Sequence, residues 1–233
     1  MGGVYRRPLM TAGLQALWPL FALRIRSERL VLRLPTDEDI VELFAVARAG
    51  IHPPDEMPFG IAWSTMASPA FERGFVQHHW GFRGGWSPDS WQLNLMIESD
   101  GEAIGAQSIG AARFAMMRTV DTGSWLGREH QGKGHGREMR EAVLALAFEG
   151  LGARVATTEA FLDNAASGAV SRSLGYAENG RGSLAPEGMA RETLRFRMTL
   201  EDWRSRPRSP VTFEGLDDCL AMFGAEAPAA TGE

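Results

Sequence analysis

The composition describes a globular chain. Its 233 residues are enough for one well-filled core, and apolar and charged fractions of 44% and 23% exclude wholesale disorder. A formal net charge of −5 argues against a general nucleic-acid binder, which needs a basic face. Cys219 is the only cysteine, so an internal disulfide is excluded and a reducing compartment fits. We expect this thiol to be buried and unreactive.

The amino-terminal segment carries an apolar run over 9–23, preceded by Arg6 and Arg7. Gln15 and Pro19 interrupt the run and no clean small-residue cleavage site follows, so the pattern does not predict an export signal. No stretch reaches the roughly 18 apolar residues that a membrane span requires. We therefore expect a cytoplasmic protein that binds neither membranes nor nucleic acids.

The first elements alternate between extended and helical patterns. Period-two alternation predicts strands over 23–26 and 30–34. Thr36 or Asp37 can then cap a helix that ends at Gly50. A rigid, Pro-rich loop over 51–63 and a second helix over 71–82 follow.

The second half is mostly extended. Asp100-Gly101 predicts a hairpin turn between two strands. The predicted strands are 91–97, 103–114, 119–126, 154–161 and 192–200, and the predicted helices are 137–148 and 165–174. This order predicts a mixed α+β domain with parallel pairing around the helix at 137–148. We assign the domain to 23–200, with an N-terminal extension over 1–22 and a C-terminal extension over 201–233 whose end is frayed.

A glycine-rich loop, GREHQGKGHG, lies between the strand at 119–126 and the following helix. Such a loop before a helix usually holds phosphate. A P-loop is excluded because Gly134 occupies the position of the hydroxyl that binds Mg²⁺, which argues against a nucleotide hydrolase. A dinucleotide fold needs different glycine spacing and an earlier position in the chain. The N–H groups from Gly132 to Arg137 can instead line an anion-binding nest, to which Lys133, His135 and Arg137 add positive charge.

The pattern Gln131-Gly132-Lys133-Gly134-His135-Gly136 resembles the acyl-CoA pyrophosphate loop of the GCN5-related N-acetyltransferase (GNAT) superfamily. SERLVLRLPTDEDI at 27–40 is similar to the start of its ribosomal-protein N-terminal acetyltransferase branch (RimJ/RimL-like). DNAASGAVSRSLGYAENG at 163–180 is similar to the second cofactor motif of the family. The resemblance covers roughly 23–200 and implies a three-layer α/β fold. Its mixed, mostly antiparallel sheet has a central, splayed parallel strand pair and is flanked by helices.

The resemblance also implies a cofactor site for acyl-CoA, and no metal. The strand before the loop would pair with the pantetheine arm, and one of its N–H groups would polarise the thioester carbonyl. The implied cofactor contacts are Ser124, Trp125, Leu126, Gln131, Gly132, Lys133, Gly134, His135, Gly136, Arg137, Asn164 and Ser167. Acetyl-CoA and succinyl-CoA both stay open as acyl donors.

Three residues are the first candidates for catalysis, and a fourth, Asp121, is the second choice for the base. Glu159 matches a position where some members of the superfamily carry a glutamate base, although a salt bridge to an arginine is an equal alternative. Asn164 matches the family's asparagine. Ser171 stands where many members carry a tyrosine that acts as the general acid, so the resemblance does not supply a dedicated general acid here. Tyr176 is assigned to core packing.

The resemblance implies that the acceptor lies between the loops at 51–63 and 179–191. Asp55 and Glu56, beside Phe59 and Trp63, suit a cationic amine on an apolar body. The sequence therefore predicts an N-acyltransferase that acts by direct attack in a ternary complex. Its acceptor is a protein N-terminus, a lysine or a small-molecule amine, and a homodimer stays open. The alternative is an acyl-CoA-binding sensor with little turnover.

Overall fold

A computed structural model describes residues 13–225. The predictions for 1–12 and for the frayed end at 226–233 lie outside the described residues. The described strands are β1 Arg24–Arg26, β2 Leu30–Arg33, β3 Ser90–Ser99, β4 Glu102–Ala112, β5 Thr119–Leu126, β6 Val155–Phe161, β7 Ala177–Leu184, β8 Arg191–Thr199 and β9 Thr212–Glu214. They form one sheet in the order β7-β8-β6-β5-β4-β3-β2-β1-β9.

Every neighbouring pair in this sheet is antiparallel except β5 and β6, which are parallel. The described helices are α1 Leu14–Leu17, α2 Asp37–Ala49, α3 Ala70–Gly84, α4 Phe114–Met117, α5 His135–Ala145, α6 Ala165–Ser173 and α7 Leu200–Arg204. The mixed, mostly antiparallel sheet with helices on its faces confirms the predicted fold class.

The predicted cap of α2 is present. The Thr36 hydroxyl accepts from the Asp39 backbone N–H while the Asp39 carboxylate accepts from the Thr36 N–H, which forms a capping box. Arg33 on β2 binds both Asp39 and Glu98, so this helix start is also tied to the sheet. The helix ends at Gly50, whose φ of +118° few other residues adopt.

Apolar side chains fill both faces of the sheet. Along β3, Leu95 and Ile97 belong to the large cluster that includes α5, while Met96 between them belongs to the smaller cluster under α2 and α3. Because successive strand residues point to opposite faces, the two clusters lie on opposite sides of the sheet. The backbone of β5 and β6 therefore separates the α5 side from the α2–α3 side.

The segments assigned as extensions contribute to the same core. Trp203 of α7 is almost fully buried and stacks on Phe148, with ring centroids 5.5 Å apart. The final strand, β9, pairs with β1 at the edge of the sheet. Cys219 and Phe223 are fully buried, which confirms the prediction of a buried thiol.

The strand β7 escaped prediction. Its sequence, AENGRGSL, is polar and almost entirely exposed, so it has no alternation of apolar residues. In the described sheet it pairs only with β8, at the edge, and Glu178 also accepts from Arg172 of α6 at 2.8 Å. Its far end at Leu184 and Gly60 of the 51–63 loop lie close together.

Candidate active site

The parallel strands β5 and β6 separate part of the way along their length. Their backbone pairing ends at Asp121 and Thr157, whereas β5 stays paired with β4 as far as Leu126. We call the opening between 122–126 of β5 and 158–161 of β6 the wedge. Within the described residues, the edge of β5 in the wedge has no backbone partner, although side chains of Thr158 and Gln131 donate to the Thr122 and Leu126 carbonyl oxygens. The rest of this edge can pair with an extended ligand. The splayed parallel pair predicted by the resemblance is therefore confirmed.

The glycine-rich loop joins β5 to α5 beside the wedge. Gly132 and Gly134 have φ values of +72° and +86°, a conformation in which successive N–H groups converge on an anion. Gln131 Nε2 donates to the carbonyl oxygens of Ile51 and Leu126, at 2.7 and 2.8 Å, and so fixes the start of the loop. The next residue after Gly134 begins α5, whose N–H groups and positive dipole end complete the loop. This backbone fits a pyrophosphate.

Positive charge beside the loop comes from two exposed side chains. Lys133, the only lysine in the chain, is exposed, as is Arg137. The expected contribution of His135 was wrong, because its side chain is buried and desolvation lowers its pKa. Arg29 Nη1 donates to the Lys133 carbonyl oxygen at 3.1 Å and holds the loop against the body of the protein.

Polar side chains link α6 to the wedge. Asn164 Oδ1 accepts from the Ser167 N–H at 3.1 Å and caps the helix. Ser171 is fully buried; its hydroxyl donates to the Ser167 carbonyl oxygen at 3.1 Å and accepts from Arg140 Nη1 at 3.2 Å. Arg140 Nη2 donates to Ser124 Oγ at 2.9 Å. Arg140 was not among the predicted site residues, although its charge beside the apolar stripe of the predicted helix was a signal for it.

Two carboxylates lie on the face of the sheet opposite α5. Desolvation raises the pKa of Asp121 to about 6, and the nearby charge of Glu159 raises it further, while Thr157 Oγ1 lies 3.4 Å from Asp121 Oδ2. Asp121 still contacts solvent, because it lines an open cavity. Glu159 accepts from the Thr193 hydroxyl and lies 3.4 Å from Arg195 Nε. Glu159 thus makes the arginine contact that the sequence left as its alternative.

An aromatic cavity of about 380 Å³ lies between the α2–α3 layer and the sheet. Its aromatic lining consists of Phe59, Trp63, Phe71, Phe75, His78, His79 and Trp125. Ser124 also lines it, so the cavity reaches the wedge. No aspartate or glutamate of the described chain is among its lining residues.

The predicted acceptor residues divide into two pairs. Phe59 and Trp63 line the aromatic cavity, whereas Asp55 and Glu56 are exposed and lie outside its lining. The loop is anchored one residue later, because the Met57 side chain is buried and its carbonyl oxygen accepts from Arg191 Nη1 at 2.7 Å. The structure therefore does not bring the two acidic residues together with the two aromatic ones.

A second, more open cavity of about 680 Å³ continues along the same face. Asp121 and Thr157 line it, together with Phe82 of α3. Gln92 lines both cavities, so they adjoin at this side chain. The two cavities together therefore run along the sheet from Trp125 to the Asp121 carboxylate.

The adjacent histidines lie with their ring centroids 5.6 Å apart and nearly perpendicular. Burial lowers the pKa of both His78 and His79, that of His79 to about 4, so the aromatic cavity is uncharged at neutral pH. Between residues 13 and 225, no three histidine, cysteine, aspartate or glutamate side chains form a group that could hold a metal ion. No helix in that range is long and apolar enough to cross a membrane.

A family model described as "Acetyltransferase (GNAT) domain" matches residues 29–177, which is more than half of the chain. The match contains the loop, the wedge and the start of α6. It supports transfer of an acyl group from coenzyme A (CoA) to an amine as the general reaction of this fold.

Solved structures share the fold at low identity. Mycobacterium smegmatis RimJ in complex with CoA-disulfide is 21% identical, with a TM-score of 0.61, over 88% of this chain and 94% of that one. RimL, a ribosomal L7/L12 alpha-N-protein acetyltransferase in complex with CoA, is 16% identical over 76% and 97%, with a TM-score of 0.59. A spermidine N-acetyltransferase SpeG chimera from Vibrio cholerae and hSSAT is 16% identical over 77% and 100%, with a TM-score of 0.58.

Proposed function

Because this chain belongs to the GNAT acetyltransferase family, we propose that it transfers an acetyl group from acetyl-CoA to a primary amine by direct attack in a ternary complex. The observation that carries the proposal is the wedge, with a glycine loop at its mouth and an aromatic cavity at its other end. One site thus offers an anion nest, an unpaired strand edge and an acceptor cavity in sequence.

The donor lies along this path. The loop from Gln131 to Arg137 holds the pyrophosphate, with Lys133 and Arg137 supplying charge. The pantetheine arm pairs with Ser124, Trp125 and Leu126, and an N–H of this edge polarises the thioester carbonyl. Asn164 and Ser167 border the donor from the start of α6.

Asp121 is the general base in this proposal, in place of Glu159. A base must accept a proton near neutral pH, and the raised pKa of Asp121 suits that task. Glu159 is already engaged by the Thr193 hydroxyl and by Arg195. Both carboxylates lie on the acceptor side of the sheet, so the alternative is that Glu159 acts as the base in place of Asp121.

The acceptor carries an apolar or aromatic group next to its amine. An aromatic cavity without acidic lining favours desolvation of such a group, whereas a polyamine would bring several charges into it. The N-terminal residue of a protein or peptide, with an apolar side chain, fits these constraints. Of the two acceptor types named for the solved structures, an α-amine therefore fits better than spermidine.

The donor is tested by thermal unfolding with acetyl-CoA, succinyl-CoA, free CoA and ATP–Mg²⁺. A ligand at one hundred times its dissociation constant adds about 2.7 kcal/mol to the free energy of unfolding. Lys133→Ala should weaken CoA binding by up to about tenfold. Arg73→Ala, which removes one exposed positive charge from α3, should leave it unchanged. Stabilisation by ATP–Mg²⁺ but by none of the CoA species would refute the proposal, and a stronger effect of succinyl-CoA would change the acyl group.

The acceptor is tested by turnover with peptides that differ only in their first residue, with spermidine as the comparison. We expect the highest kcat/KM for apolar first residues. Phe75→Ala should reduce this preference because it removes part of the cavity wall. If CoA binds but no amine is acylated, the chain is a CoA-binding sensor instead, which the engaged Ser171 hydroxyl would explain.

A further inference from the structure

Arg140 carries a buried charge beside the wedge. Its residue is only 4% exposed, and its guanidinium lies between Ser124 of β5 and Ser171 of α6. Within residues 13–225, no carboxylate forms an ion pair with it, and its Nε has no hydrogen-bond partner. A buried guanidinium without a carboxylate is costly for folding, so its retention calls for a separate reason.

Two other sheltered arginines in the described part of the chain are paired with carboxylates. Arg33 binds Asp39 and Glu98, and Arg206 lies 3.1 Å from Glu141 Oε1. Arg140 is held by two neutral hydroxyls, and its nearest charge partners, Asp121 and Tyr176, form no ion pair with it. This arrangement is typical of a site that receives negative charge from a ligand.

The negative charge would arise next to Ser124. The Ser124 hydroxyl accepts a hydrogen bond from the guanidinium. The residue also lies on the edge of β5 that β6 leaves unpaired, and it lines the aromatic cavity. In the proposed function, the thioester is held at this edge. The position of Arg140 is thus coupled directly to the residue that contacts the reacting group.

We propose that Arg140 stabilises the CoA thiolate as it leaves; this inference rests on the proposed function. The acceptor nitrogen forms a bond to the acyl carbon, the carbon–sulfur bond breaks, and sulfur departs with the electron pair. The amine proton passes to the base on the other face of the sheet. Arg140 acts by its charge, because a guanidinium does not give up its proton in proteins.

This role explains the serine at the expected position of the acid. The Ser171 hydroxyl is committed to the Ser167 carbonyl oxygen and accepts from Arg140, so its proton is not directed at the wedge. Two of the five N–H donors of Arg140 are used by Ser124 and Ser171, which leaves others for sulfur. A thiolate held by a fixed positive charge needs no proton donor in order to leave.

The test is the titration of the thiol of bound CoA, followed by the ultraviolet absorbance of the thiolate, with desulfo-CoA as the blank. The titratable groups that act on Arg140 are Tyr176 and Asp121, and Glu159 acts in turn on Asp121. In the unaltered protein, we expect the thiol pKa to fall by about 1–3 units from its free value. Arg140→Lys should retain part of the shift, and Arg140→Met should abolish it.

The outcomes are separable. If CoA binds the unaltered protein but the pKa of its thiol is unshifted, the role of Arg140 is refuted while the proposed function stands. This result does not depend on whether any variant folds. A shift that survives in Arg140→Met but disappears in Tyr176→Phe also refutes that role, because the tyrosine would then be responsible. CoA that does not bind, measured by calorimetry, overturns the proposed function itself.

A kinetic readout distinguishes stabilisation of the leaving group from a structural role. Arg140→Met should lower kcat by about 10²–10³ while KM for acetyl-CoA changes little. Rescue of a measurable part of kcat by Arg140→Lys supports the charge. Equal losses in both variants, with weakened CoA binding, would instead assign Arg140 to packing.

Discussion

The sharpest prediction concerns the Asp121 carboxylate. Desolvation raises its pKa to about 6 from an ordinary value of 3.8, although the residue is exposed to solvent in an open cavity. With that pKa, about 97% of the carboxylate is ionised at pH 7.5 and only about 9% at pH 5. If Asp121 takes the proton of the amine, kcat at saturating acceptor should therefore fall about tenfold over this range. With an unperturbed pKa, it would hardly change.

Replacement of the side chain gives the second half of this prediction. Asp121→Asn preserves shape and removes the base, so kcat should fall by about 10²–10⁴. Glu159→Gln is the matched control on the adjacent strand, because it removes one carboxylate from the same face of the sheet. The Glu159→Gln variant should retain most of its kcat, and that kcat should still depend on pH near pH 6. Since both variants use the same acceptor, protonation of the amine itself affects them equally.

Stability supplies a check that does not involve turnover. A carboxyl whose pKa is raised in the folded state stabilises the protein at low pH, and this contribution is lost as the pH rises from 3.8 through 6. Asp121→Asn should therefore melt at least as high as the unaltered protein at about pH 8. The reasoning is refuted if Asp121→Asn keeps kcat within about twofold while Glu159→Gln loses it.

Three further predictions concern stability, each measured by urea unfolding. Trp203→Ala should lower the free energy of unfolding by about 3–5 kcal/mol, because it empties a buried site. Trp203→Phe should keep the stack on Phe148 and cost clearly less. A loss below about 1 kcal/mol for Trp203→Ala would show that the C-terminal segment is not part of the core. Gly74→Ala should stabilise by about 0.5–1 kcal/mol, because the new methyl group would make only an ordinary contact in α3; destabilisation would contradict it. Asp39→Ala should cost about 2–4 kcal/mol at neutral pH through loss of the capping box and of the Arg33 contact. Since the pKa of Asp39 is lowered to about 2, this cost should shrink as the pH falls from 3.8 toward 2.

Local patterns predicted the strand and the helix on either side of the glycine loop. The alternation over 119–126 and the glycines before α5 are local signals, and both elements lie where they were expected. The splay of β5 from β6 followed from the resemblance and not from any local pattern. The strand β7 has no apolar alternation, since neither of its faces is buried, and therefore carried no signal.

The acceptor side depended on contacts that the sequence does not contain. Asp55 and Glu56 are near Phe59 in the chain, but burial of Met57 and the bond from Arg191 leave the acidic side chains exposed. Trp125 was predicted as a donor contact through its backbone. Its ring also forms part of the aromatic cavity, which only the packing of α3 against the sheet reveals.

The lone lysine makes the loop directly observable by intact-mass spectrometry. An amine-reactive ester can modify only Lys133 and the chain's amino-terminal group, so the unfolded protein should gain at most two labels. In the folded protein, CoA should suppress one of the two labels, because its phosphates would cover the ammonium group. The ratio of singly to doubly labelled protein then measures occupancy of the loop, without a mutation, an acceptor or turnover.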